Sequence, residues 1–166
     1  MADPLKPVLI QELRPLAQGR EWWLDQHLPS LESLTPVRGR LRALHRGQLL
    51  ELDGEASTIV TLCCDRCLQP FNHPLAFRTH ELLRLGEEAG NAGLEDLHEL
   101  QLQPDEFTET VDPAGSFDPA HWVYEQLSLQ LPLVNRCGSD CPGPGTWSSE
   151  SELGDPRWAA LKALKP

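Results

Sequence analysis

No run of about 18 or more apolar residues occurs in the chain, so none of its segments is expected to cross a membrane as a helix. The opening MADPLKPVLIQEL lacks the charged-then-apolar layout of a secretory signal, and it lacks the Arg/Ser-rich, acid-poor look of a transit peptide. The cytoplasm is therefore the expected compartment. Basic residues are few. Lys and Arg number 14 against 25 Asp and Glu, a formal charge of −11, which excludes a surface that is basic all round. Aromatic residues make up only 6%. No phosphate-binding glycine loop, dinucleotide fingerprint, nucleophile-elbow serine or paired metal-spaced histidines occur among His27, His45, His73, His80, His98 and His121. Nothing in the sequence supports an enzyme or implies a small-molecule substrate.

What is present points to a folded chain. The 166 residues and the 40% hydrophobic fraction favour one domain with a buried core that needs no disulfides, and the 15 prolines imply long connections. Residues 5–14 alternate weakly, as a first strand would. Residues 20–34, REWWLDQHLPSLESL, suggest a short helical or irregular segment interrupted by Pro29. In PVRGRLRALH (36–45) Arg38, Arg40 and Arg42 alternate with Val37, Leu41 and Ala43, the period of a half-buried strand. Arg46 and Gly47 mark a turn. QLLELDG and ASTIVTLCC read as two further strands of an antiparallel meander, and LAFRTHELLRL (75–85) reads as a fourth or as a short helix.

Residues 86–112 are rich in Asp and Glu, contain no lysine and start with GEEAGNAG, so a variable acidic loop is expected there, with Leu94, Leu97, Leu100 and Leu102 packing locally. Asp118 suits a helix N-cap and Pro119 the first helical position. Val123, Leu127 and Leu131 then give one apolar face until Pro132 ends the helix, and that face is expected to pack on the sheet. DPRWAALKAL (155–164) suggests a last short helix. The expected fold is α+β: an antiparallel sheet or partly closed barrel with one main helix and two cysteine knuckles.

The chemistry concentrates in the cysteines. Cys64 and Cys67 are separated by two residues, Cys137 and Cys141 by three, and both spacers let two thiolates meet one ion. Closely spaced cysteines in a reducing compartment point to metal binding or redox chemistry. Four soft sulfur ligands suit tetrahedral zinc or an iron–sulfur centre rather than magnesium or calcium. A closed four-thiolate zinc site has no open position and is structural. Two other readings stay open: unrelated buried thiols, and a thiol redox pair, although no helix evidently follows the first pair. Cys63 reads as a small buried residue. Arg38, Arg40 and Arg42 form a row that suits phosphates, with Arg46, Arg66 and Arg78 as further cations; the bland alternative is a solvated strand face.

Three stretches resemble one family, the YceD-type large ribosomal RNA subunit accumulation proteins, with their cyanobacterial and plastid branch the nearest in kind. They are VTLCCDRCLQPF (60–71), FDPAHWVYEQLSLQLPLVNRCGSDCPG (117–143) and DPRWAALKAL, with VRGRLRALHRGQLLELDGEAST sharing the family's strand rhythm. The resemblance spans roughly residues 36–165. It implies a non-enzymatic role in accumulation or processing of large-subunit ribosomal RNA. The partner would be precursor RNA or a ribosome-assembly or RNA-processing protein. Cys64, Cys67, Cys137 and Cys141 match the family's two pairs, and Arg66 its arginine between the first two cysteines. The acidic charge suits a protein adaptor, and an adaptor unrelated to RNA is the competing reading.

Overall fold

A computed structural model describes residues 4–86 and 109–145. The strands are β1 (Val8–Leu9), β2 (Arg20–Gln26), β3 (Val37–Arg46), β4 (Leu49–Cys63), β5 (Pro70–Leu85), β6 (Glu109–Val111) and β7 (Ser116–Phe117). The helices are α1 (Ile10–Leu13) and α2 (Pro119–Ser128). Strands β2 to β6 form one curled sheet in chain order, a half-barrel; β1 and β7 form a second small antiparallel sheet. All neighbours in the large sheet are antiparallel except β5 and β6, which run parallel.

Alternation sets which face is buried. Trp22 and Leu24 of β2, Val37, Leu41 and Ala43 of β3, and Leu50, Leu52 and Ala56 of β4 all point inward. Residues 20–26 are thus a strand rather than helical or irregular: inward Trp22 and Leu24 flank outward Trp23, which is 57% exposed. Of residues 5–14, only Val8 and Leu9 form a strand, and a single helical turn follows. QLLELDG and ASTIVTLCC, expected as two strands, form one strand of 15 residues. Gly54, which looks like a break, lies in register opposite Leu41 and Thr79. The next strand starts at Pro70, earlier than expected. Within the acidic stretch Glu109–Val111 is a strand. The leucines at 94, 97, 100 and 102 and the expected helix at 155–164 lie outside the described residues.

Helix α2 begins as its sequence predicts. The Asp118 carboxylate accepts from the amides of Ala120 (3.0 Å) and His121 (3.2 Å), and Pro119 takes the first position. Trp122, Val123 and Leu127 bury its inner face against β4 and β5. The helix ends at Ser128, one turn short of Pro132, and Leu131 is largely outside the core. The close approach depends on Gly54, where an added Cβ would lie 2.5 Å from Cζ3 of Trp122. Gly54→Ala is therefore expected to destabilise the protein by about 1–3 kcal/mol through overpacking, read as a lower urea midpoint with an unchanged m value.

The β4–β5 hairpin outruns its neighbour. Pairing with β3 stops at Ser57, while β4 and β5 stay paired out to Cys63 and Pro70. The projecting ribbon is pinned from one side by the chain before β3: the Leu34 amide donates to the Ile59 carbonyl (2.7 Å), the Ile59 amide to Thr35 Oγ1 (3.1 Å), and Thr58 Oγ1 to the Thr35 carbonyl (2.7 Å). The first cysteine pair sits at the tip of this braced ribbon.

Candidate metal centre

The tip is a tight knuckle. The Cys64 amide donates to the Gln69 carbonyl (3.0 Å), and the Leu68 amide donates to the Cys64 carbonyl (2.8 Å). Closing it puts Leu68 at φ 60, a left-handed conformation costing a non-glycine residue about 1–2 kcal/mol. Cys64 turns inward and is fully buried. Cys63 was expected to be buried and is exposed, because the odd residues of this end of β4 face solvent.

The second pair arrives from α2. Past Leu131 the chain runs out to Asn135 and meets Asp65. The Asp65 amide donates to the Asn135 carbonyl (2.9 Å), and the Asn135 amide donates to Asp65 Oδ2 (2.7 Å). This clasp brings Cys137 and Cys141 onto the knuckle. Sγ of Cys64 lies 3.8 Å from Sγ of Cys141, and Sγ of Cys67 lies 3.7 Å from Sγ of Cys137. All four sulfurs lie within 4.8 Å of one another.

These distances are too long for disulfides, whose sulfurs stand about 2.05 Å apart. They match a metal tetrahedron: zinc–sulfur bonds of about 2.3 Å set the ligand sulfurs about 3.8 Å apart. The four cysteines, predicted from spacing alone, are thus brought together across two distant segments, and the donor set fits a metal ion. The surroundings treat the thiols unequally. The amides of Cys67 and Arg66 point at Cys64 Sγ and pull its pKa down to about 6. At Cys67 the Gln69 amide acts the same way, but desolvation and the neighbouring sulfurs outweigh it and the pKa rises. Cys137 is pushed up to about 12, chiefly by Cys141 and then by desolvation. So dense a thiol cluster resists full ionisation unless a cation shares it.

The arginines part company. Arg38, Arg40 and Arg42 do lie on one solvent-facing side of β3, but other groups of the chain already hold them. Arg38 Nε donates to Asp25 (3.0 Å), Arg40 Nε to Glu55 (2.9 Å) and Arg42 Nε to the Gln18 carbonyl (2.9 Å). Arg46 pairs with Glu51, and Arg78 approaches Glu55. Arg66 is elsewhere, exposed on the knuckle, with its guanidinium lying over Gly143. Sequence reasoning missed Asp65, Asn135 and Arg136. Their signal was a repeated tripeptide, Asp-Arg-Cys at 65–67 and Asn-Arg-Cys at 135–137.

A family model described as large ribosomal RNA subunit accumulation protein YceD matches residues 52–165. The chain belongs to that family. The YceD match starts within β4 and takes in both cysteine pairs and α2, whereas Arg38, Arg40 and Arg42 lie before it. Membership implies a role in accumulation of large-subunit ribosomal RNA. No curated protein and no solved structure matches the chain. Among the described residues no helix is long and apolar enough to cross a membrane.

Proposed function

We propose that this YceD protein is a non-enzymatic, cytoplasmic ribosome-biogenesis factor that promotes accumulation or processing of large-subunit ribosomal RNA, and that Cys64, Cys67, Cys137 and Cys141 hold one structural zinc ion. The observation that supports the metal reading is the pair of sulfur–sulfur distances, 3.7 and 3.8 Å, which match two edges of a zinc–thiolate tetrahedron. Four thiolates leave no open position for a substrate, so the ion serves architecture. It ties the hairpin tip to the segment after α2 and fixes one end of the molecule as a rigid surface. The family match carries the RNA role. The partner is precursor ribosomal RNA or a protein that assembles or processes it.

A protein adaptor is the second reading, favoured by exposed apolar residues on the knuckle, Leu68, and on the segment after α2, Leu129, Leu133 and Val134. The test is complementation. Cells lacking the protein are expected to hold less large-subunit than small-subunit ribosomal RNA, and the wild-type gene restores the ratio. A Cys64→Ser/Cys137→Ser gene is expected to fail at matched expression. Full rescue by that variant would remove the centre from the function, and an undisturbed ratio in the deleted cells would remove the RNA role.

A further inference from the structure

We propose that Arg66 and Arg136 form a two-arginine clamp for the phosphodiester backbone of RNA, mounted on the cysteine centre. The proposal deepens the ribosomal RNA reading and rests on it.

The tripeptides Asp65-Arg66-Cys67 and Asn135-Arg136-Cys137 lie side by side. Their first residues are joined by two hydrogen bonds of 2.9 and 2.7 Å, and their last residues bring sulfurs to 3.7 Å. Each arginine is thus fixed on both sides, and their Cα atoms stand no more than about 15 Å apart, given a Cα step of about 3.8 Å on each arm. Both arginines are exposed, and among the described residues neither has an ion pair. That separates them from Arg38, Arg40, Arg46 and Arg78, which all have a carboxylate within 4.0 Å. The adjacent carboxylate, Asp65, is already engaged by the Asn135 amide. Two cationic side chains anchored within that span on stiff backbone can both reach one stretch of nucleic-acid backbone. A guanidinium fork matches phosphate oxygens two at a time, and consecutive phosphates offer such a target repeatedly. In a chain of charge −11 this local pair gives RNA a landing point that the net charge hides.

Thiolates around a divalent ion also carry excess negative charge, and the arginines would offset it in any case. The experiment must separate that service from RNA contact. Binding of a fluorescein-labelled large-subunit ribosomal RNA fragment to the full chain is followed by anisotropy across a potassium chloride series. Arg66→Gln/Arg136→Gln is compared with wild type and with Arg38→Gln/Arg40→Gln/Arg42→Gln, with metal content and Tm measured for each. The clamp predicts that the double variant binds about tenfold more weakly or worse and loses about 2 from the salt slope, roughly one per phosphate contact, while the triple variant changes less. An unchanged slope in a folded, metal-loaded double variant overturns it. Failure of the wild type to bind the RNA also overturns it, and the ribosomal RNA reading survives if complementation still succeeds. Should the glutamine pair lose metal, Arg66→Lys/Arg136→Lys keeps the charge and removes the fork: binding several-fold weaker supports the clamp, and wild-type affinity overturns it.

Discussion

Purified protein is expected to carry about one zinc per chain, and stripping it with a chelator is expected to lower Tm by about 10 °C. A ligand held at about a thousand times its Kd stabilises the folded state by about 4 kcal/mol, and in a chain of this size each kcal/mol is worth about 2–4 °C. An ion held there would join two segments with all of β5, β6, β7 and α2 between them, so releasing it would also restore freedom to a long stretch of unfolded chain. The loss should be local at first. The main core of Trp22, Leu41, Leu50, Leu52 and Val123 lies along the sheet, and the ribbon beyond Ser57 keeps its bracing to Thr35. Amide exchange should therefore accelerate at residues 64–69 and 133–141 after chelation, while β3 and the inner part of β4 stay protected. Metal-free protein with an unchanged Tm under chelator would sink the centre. Uniform acceleration over the whole chain would show that the ion holds the entire fold and not one end of it.

How far the sequence disclosed this depends on the range of each interaction. Asp118 and Pro119 act within one turn, so the start of α2 was legible. The cysteine spacings are local too, and the only non-local step, joining the pairs, followed from chemistry, since one ion needs four ligands. Strand alternation around Arg38–Arg42 was legible because period two is written in neighbouring residues. What those arginines touch was not: Asp25 sits on β2 and Glu55 on β4, set opposite by register. Gly54 misled for a similar reason. Glycine signals a break when read locally, yet here its missing side chain makes room for a tryptophan 68 positions along the chain. Residues 20–26 were obscured by Pro29, which lies beyond the end of β2 and never interrupts it. Alternation runs on through Cys63 to buried Cys64, so the outward side of Cys63 was written in period two, and reading it as buried followed residue type instead.

Trp122→Ala is expected to be the most damaging single change in the described core, at about 3–5 kcal/mol. Its ring is buried between α2 and the sheet, edge-on to Phe77 with centroids 5.7 Å apart and planes at 80°. Its Nε1 donates to Glu81 Oε2 at 2.7 Å. Glu81 interrupts the inward row of Leu75, Phe77, Thr79, Leu83 and Leu85 on β5, and this bond accounts for its place there. Truncation leaves a cavity and an acceptor that has lost its donor, two costs that add. Trp122→Phe should cost less, about 1–3 kcal/mol, since it keeps most of the ring and loses the donor. The partnership with Gly54 gives a sharper test. Gly54→Ala destabilises by crowding the ring, so in the Trp122→Ala background the same change should cost little or even gain, and urea unfolding of the four proteins should give a coupling above about 1 kcal/mol. Additive effects would mean that the helix does not lie on Gly54. Because α2 leads directly into Asn135 and the second cysteine pair, the Trp122→Ala protein should also release its metal to a chelator faster than wild type, linking the packing of the sheet to the hold on the ion.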